Sequence, residues 1–396
     1  MSEPTKYDYI DIVRGLAILA VVFVHSGSIL HGLPPFLESA YAYGNLGVQL
    51  FFVASALTLC LSMTNRSEED WYNFYIRRFF RIAPIFYCGM VFYFFWHLLI
   101  NYHATGTIAL SEGDTLAALV QNVLFIHGFS PSNFNYLVPG AWSIGAEVAF
   151  YALFPFIFAV VRKGIVPLLT LFIVTWAVSI IGQIVLFNFV SPRLIAEGLI
   201  LEPLKNDSFS FIYANIFNQL PVFLAGCTAF LLIKSKLDWR HLVVAFLLCL
   251  TSQLLQVSAF IHTNFNGALY ATLSAMGFAI GVVWLANQPI VHNNMTRWLI
   301  RIGKLSFAIY IGHFAIISLL HLAVEKLQLE QRFSSSALFA VLFVVATISS
   351  TKIAQVIHTW IEQPGIALGK RVISHRAKRR SPQPDAPKAL HPPATV

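Results

Sequence analysis

Arg14 and His25 lie in one apolar run, Ile10-Asp-Ile-Val-Arg-Gly-Leu-Ala-Ile-Leu-Ala-Val-Val-Phe-Val-His25, with ten residues between them. The run is hydrophobic and long enough to cross a bilayer. Ionisable groups placed there cost several kcal/mol unless a partner or a water-filled cavity receives them, so they are read as functional by default. Eleven steps of ~100° return a helix to within ~20° of its starting direction, over a rise of ~16.5 Å. Arg14 and His25 therefore share one face, one near the membrane surface and one deeper. This spacing suits a long anionic ligand held at one end and reacted at the other.

Three further clusters carry chemistry. Arg77, Arg78 and Arg81 stand three and four positions apart just before Pro84, and so lie close together on a helix. The guanidinium fork matches phosphate oxygens, although basic residues beside a membrane also serve as plain anchors. Glu147 follows Trp142 and Ser143 at the start of an apolar segment. Its expected depth is similar to that of His25, which would pair a carboxylate with an imidazole as general-base catalysis requires. Ser306, Tyr310 and His313 share one face of a late segment and are equally suited to interhelical hydrogen bonding. No His, Asp or Glu set has metal-ligand spacing, so no metal is expected.

The elements that must position these groups are apolar helices. The chain of 396 residues is 57% hydrophobic and 11% charged, with a mean hydropathy of +0.69, outside the range of soluble globular proteins. Ten spans are expected, at about 10–30, 44–63, 82–101, 142–161, 166–188, 211–233, 241–261, 267–287, 304–325 and 336–357. The apolar runs are continuous rather than alternating, which argues for an all-α polytopic membrane protein over a β-barrel. With both termini cytoplasmic, 22 of the 26 Lys and Arg residues fall on the inner side. Only Arg193, Lys205, Lys326 and Arg332 fall outside, as the positive-inside rule favours. The net charge of +8 is thereby explained by orientation among membrane lipids, and no nucleic acid is expected. The first span lacks a cleavage site near its end and reads as a retained helix. Cys60, Cys88, Cys227 and Cys249 fall inside expected spans, without a Cys-x-x-Cys pair, and read as packing residues.

Two regions break the pattern. Asn101 to Ala141 is a long outer loop whose apolar stretch, Leu116 to Phe129, reads as a short re-entrant or interfacial helix. Residues 1–372 read as one transmembrane domain, and 373–396 as a disordered, basic, Pro-rich cytoplasmic tail with no room for a further soluble domain. A transporter or flippase using Arg, His and Glu as an ion relay is the rival reading of the intramembrane charges. Against it, no inverted repeat is visible, nor any matching pair of Gly/Pro-broken spans.

In order and spacing these segments resemble the integral-membrane acyltransferase-3 family, which includes bacterial O-acetyltransferases of surface polysaccharides. The resemblance covers nearly the whole chain up to about residue 365. It rests on Ile10-Asp11-Ile12-Val13-Arg14-Gly15 with His25, and on Phe51-Phe52-Val53-Ala54-Ser55-Ala56-Leu57, where Ala56 replaces a family glycine. It continues through Arg78-Phe-Phe-Arg81, Trp142-Ser143-Ile144-Gly145-Ala146-Glu147, and Ser306, Tyr310 and His313, and ends at Glu362-Gln363-Pro364. The resemblance implies transfer of an acyl group, acetyl first of all, from cytoplasmic acetyl-CoA or another acyl-CoA to a hydroxyl of a cell-surface or secreted glycan or glycolipid. It implies a multi-pass protein of the bacterial inner membrane. Arg14 and His25 would be the essential pair, and Arg14, Arg77, Arg78 and Arg81 would hold the CoA phosphates. His25 and Glu147 would be catalytic, His25 either as general base on the acceptor hydroxyl or by accepting the acyl group and relaying it outward, with Asp11, Trp142, Ser143, Ser306, Tyr310, His313 and Glu362 in support. Some members carry a further soluble hydrolase-like domain. This chain would complete transfer alone or with a separate periplasmic partner protein.

Overall fold

A computed structural model of the chain describes residues 7–66, 70–107, 115–185, 189, 193, 211–257 and 266–380. The helices are α1 (Asp8–Gly27), α2 (Pro35–Ala42), α3 (Gly47–Thr64), α4 (Trp71–Thr105), α5 (Leu116–Val123), α6 (Ala141–Val161) and α7 (Ile165–Val185). They continue as α8 (Phe211–Ala214), α9 (Ile216–Leu232), α10 (Trp239–Val257), α11 (Asn266–Ala286), α12 (Asn294–Lys326), α13 (Leu329–Arg332), α14 (Ser335–Ile357) and α15 (Gln363–Arg380). Among the described residues there is no strand.

Eight of these stretches are long and apolar enough to cross a membrane, and α9 and α10 form shorter apolar helices where the sixth and seventh spans were expected. The chain is thus an all-α polytopic membrane protein. Its outer surface follows from that environment: on α7, Val166, Ile173 and Ile181 are each at least 60% exposed. An apolar helix with so much bare surface is at home against lipid.

α1 is the central helix, packed against α3, α12 and α14. Two glycines allow its close crossing with α12. A Cβ on Gly15 would meet the Leu299 carbonyl oxygen at 2.5 Å, and one on Gly303 would overlap the Asp11 carbonyl. Small residues at such crossings replace a hydrophobic driving force that lipid does not supply. Gly303→Ala is therefore expected to push α1 and α12 apart and cost about 1–3 kcal/mol. A melting temperature equal to that of the unaltered protein would contradict this crossing geometry.

Two expectations change. The Arg77–Arg81 cluster does not precede its span but lies within the same helix, because α4 starts at Trp71 and not near residue 82. Asp70 caps it, its side chain accepting the Tyr72 N–H at 3.0 Å, and no breaker follows until Pro84. The 35-residue α4 is longer than any hydrocarbon core requires. The tail begins later than residue 373, since α15 remains helical to Arg380. Arg376 pairs with Asp70 at 2.8 Å and lies 3.9 Å over the Tyr72 ring, which gives these basic residues a surface to order against. The Pro-rich remainder, 381–396, lies outside the described residues. The short helix expected within Leu116–Phe129 is present as α5, followed by a 3₁₀ turn, His127–Phe129. Leu116, Leu124 and Phe129 are exposed while Ala118 and His127 are buried, so the segment lies along the surface with one face inward. Part of the same loop, 108–114, lies outside the described residues.

Candidate active site

The single face of α1 opens onto two cavities. Arg14 lines the first, which encloses about 650 Å³ with its open mouth included, together with Arg81, Ser55, Glu147, Tyr151 and Ser306. His25 lines the second, about 750 Å³ on the same measure, with Asn45, Asn135, Gly140, Trp142, Tyr213, Tyr270 and Phe314. Val48 and Tyr310 belong to both walls. The helix rise of ~16.5 Å between Arg14 and His25 thus spans two chambers that meet at one septum.

Arg14 and Arg81 come from α1 and α4, and neither makes a hydrogen bond to the protein among the described residues. The charged groups facing Arg14 are Arg81, Glu147 and Asp11. Glu147 sits opposite on α6 and accepts hydrogen bonds from Ser55 Oγ and the Tyr151 hydroxyl, both at 2.5 Å. Arg78 lies behind this wall with its guanidinium carbon 5.9 Å from the Tyr151 ring centre, and it too faces Glu147 and Arg81. Arg77 points elsewhere, with Arg66 and Arg78 as its charged neighbours. Of the four expected phosphate-binding arginines, two therefore line the chamber, one stands behind it and one lies aside. The two on the wall present guanidinium donors that no acceptor among the described residues uses.

The septum is a small polar knot. Ser143 Oγ and the Tyr310 hydroxyl lie 2.7 Å apart and each is 3.0 Å from the Gly140 carbonyl oxygen, so one hydroxyl donates to the other, which donates to the carbonyl. Gly140 has φ +80°, and a Cβ there would press on Tyr310 and Phe314, so only glycine fits this turn into α6. Trp142 stands in the second chamber between Phe52 and Tyr213, at ring distances of 6.1 and 5.6 Å. Tyr213 in turn stacks on Tyr270 at 5.4 Å and accepts a hydrogen bond from Gln49.

The expected His25–Glu147 pair is not formed. His25 has His313 and Phe314 as ring neighbours, at 5.3 and 4.6 Å, and Glu147 belongs to the other chamber. The cause is an offset along the helices. His25 is two residues from the end of α1 at Gly27, whereas Glu147 is six residues inside α6 from Ala141, a difference of ~6 Å in rise. Ser143 is the α6 residue at the matching level. Ser55 and Tyr151, the partners Glu147 does have, were not expected in that role. Tyr151 was legible, since it stands four positions after Glu147 and so shares its face; Ser55 gave no such signal.

The remaining supporting residues divide. Ser306 is buried on the first chamber, and His313 is buried beside His25. Asp11 pairs with Lys304 at 3.9 Å and lends its backbone to the α1–α12 crossing. Glu362 is remote from both chambers: it accepts a hydrogen bond from His358 Nδ1 at 2.7 Å in a π turn, His358–Glu362, that joins α14 to α15. Just beyond, Gly365 packs on Pro84 and the Phe80 carbonyl, the acceptor that Pro84 leaves without its helical donor. Glu362 thus belongs to the turn from which α15 packs on the helix that carries the arginines.

In this multi-pass membrane protein, half-buried arginines, a carboxylate and an imidazole line two chambers that share a wall. The chain belongs to the acyltransferase-3 family, whose acyltransferase domain matches residues 7–354, and it is an acyltransferase. It is similar to the acyltransferase MdmB of Streptomyces mycarofaciens, 26% identical over 348 residues that cover 83% of this chain and 82% of that protein. It is also similar to the O-acetyltransferase OatA of Staphylococcus aureus. Identity to OatA is 21% over 96% of this chain in strain MRSA252, and 23% over 80% in strain NCTC 8325. Those matches cover 60% and 51% of OatA, so the chain spans little more than half of that relative. No solved structure matches the chain significantly. The family membership sets aside the transporter reading of the intramembrane charges.

Proposed function

We propose that the protein transfers an acyl group, most simply acetyl, from acyl-CoA to a hydroxyl of a glycan or glycolipid. The supporting observation is the pair of unengaged guanidiniums, Arg14 and Arg81, on a chamber that meets the His25 chamber at Tyr310. Arginine forks without protein acceptors suit the phosphates of CoA. The pantetheine arm would then follow α1 toward the septum and bring the thioester carbon within reach of the second chamber. There, tyrosine and tryptophan faces with the amides of Asn45 and Asn135 offer stacking and hydrogen bonds to a polyhydroxylated acceptor. His25 takes the proton of the acceptor hydroxyl as its oxygen attacks the thioester carbon. The C–S bond breaks, and the CoA thiolate recovers that proton. The Lys/Arg distribution supports an orientation with the Arg14 end in the cytoplasm and the His25 end outside, in the inner membrane of a bacterium. A separate periplasmic protein that hands on or receives the glycan is compatible with this arrangement.

Purified protein in nanodiscs, given acetyl-CoA and a panel of oligosaccharides, should release free thiol in an acceptor-dependent manner. Arg81→Lys should keep the charge but lose the bidentate fork, weakening CoA affinity about tenfold. Absence of both CoA binding and thiol release, with every acceptor, would reject the proposal.

A further inference from the structure

His25 needs an orienting partner, and Glu147 does not supply it. A neutral imidazole acts as base through one nitrogen while the other carries a hydrogen, and the acceptor of that hydrogen fixes the tautomer and ring angle. His313 is fully buried on α12. Its Nδ1 lies 2.7 Å from the Tyr310 carbonyl and 3.2 Å from that of Ile309. Carbonyl oxygens only accept, so Nδ1 bears the hydrogen and Nε2 is left with a lone pair. That Nε2 is a buried atom with no hydrogen-bond partner among the described residues. Buried polar atoms are rarely left so, and an unsatisfied one calls for an explanation. The neighbouring ring is His25, 5.3 Å away between centroids and tilted by 42°. His313 is also the titratable group that faces His25. Phe314 packs against both rings, at 4.6 and 4.1 Å, and keeps other polar groups from that side.

We infer that His313 is the positioning residue of the catalytic base: its Nε2 accepts the N–H of His25 and leaves the other His25 nitrogen unprotonated toward the acceptor chamber. The bond requires a rotation of the His25 ring that brings one of its nitrogens into hydrogen-bond range of that Nε2. The bond gains strength when His25 takes the acceptor proton, because an imidazolium N–H donates more strongly than a neutral one. His313 keeps its own hydrogen on Nδ1 throughout, so no proton leaves the His25 cycle. The same residue links base and septum, since the Tyr310 backbone that holds His313 belongs to the side chain bonded to Ser143. This inference rests on the acyl-transfer reading for its kinetic arm only.

Two variants and two readouts test it. His313→Phe keeps an aromatic ring but offers no acceptor, whereas His313→Gln offers a carbonyl oxygen near the place of Nε2. In the transfer assay, His313→Phe should lower kcat about tenfold or more with KM for acetyl-CoA within about twofold. His313→Gln should recover most of the loss. The second readout needs no acyl transfer: carbethoxylation of His25 by diethylpyrocarbonate, followed by peptide mass spectrometry on folded protein. His25 should react severalfold more slowly in His313→Phe than in the unaltered protein or His313→Gln. Unchanged carbethoxylation across the three proteins overturns the inference even if no acyl transfer is ever seen. Absent thiol release with the expected carbethoxylation pattern rejects acyl transfer and leaves the histidine pair standing. A fall in kcat that Gln does not rescue reduces His313 to packing.

Discussion

His25→Ala will abolish acceptor-dependent thiol release while leaving CoA affinity within about twofold of the original. General-base catalysis by a positioned imidazole contributes roughly 10²- to 10⁴-fold, and the described surroundings of His25 contain no second group able to replace it. His313 has its Nδ1 hydrogen committed to backbone carbonyls and stands behind His25. The carboxylate of Glu147 lines the other chamber. CoA, by contrast, would meet the protein chiefly through its phosphates at Arg14 and Arg81, ~16.5 Å along α1 from the base. The experiment combines isothermal titration of CoA with thiol release at saturating acetyl-CoA. A variant that still turns over within tenfold of the original would remove His25 from the chemistry. A variant that loses CoA binding in parallel would move the donor site to the second chamber.

The placement of Arg14 and His25 along one face was legible at α1 because both residues lie on one helix. Eleven positions define a direction and a rise irrespective of what surrounds them, and the two cavities open where that arithmetic puts them. Contacts between helices were not legible in the same way. The pairing of His25 with Glu147 required the ends of α1 and α6 to be level, and hydropathy places helix ends only to within several residues. An error of four residues is ~6 Å, enough to exchange Glu147 for Ser143 opposite His25. The arginine cluster shows the same limit. Its spacing put Arg77, Arg78 and Arg81 near each other, yet which of them reaches the cavity depends on the rotation of α4, fixed by packing of Gly365 and Gly369 of α15 on Phe80 and Pro84. α15 in turn was hidden by its composition. Its basic, weakly apolar sequence reads as a tail until Asp70 and Tyr72 are known to lie beside Arg376. The polar septum could be found only in part: Ser143 and Tyr310 were each candidates, but their shared acceptor, the Gly140 carbonyl, is a backbone atom that no side-chain pattern announces.

Glu147→Gln separates the two roles a buried carboxylate can hold here. Had it partnered His25, the substitution would remove transfer and spare the rest. In its actual setting it faces Arg14 and Arg78 and accepts from Ser55 and Tyr151. Glutamine retains an amide oxygen for those two hydroxyls, so only the charge is lost. Arg14 and Arg78 then lose the carboxylate they share, Arg14 keeping only Asp11, and an under-compensated charge of this kind destabilises strongly when dry. The open mouth of the chamber admits water and reduces that to about 1–3 kcal/mol. The unliganded variant should therefore melt several degrees lower. CoA phosphates would supply the missing negative charge, so the rise in melting temperature on adding CoA should be larger in Glu147→Gln than in the unaltered protein. Turnover at saturating acetyl-CoA should fall far less than in His25→Ala. An unchanged melting temperature combined with complete loss of transfer would reject this assignment and return Glu147 to the base. A smaller CoA-induced shift than in the unaltered protein would instead mean that the carboxylate orients Arg14 for its ligand and does not compete with it.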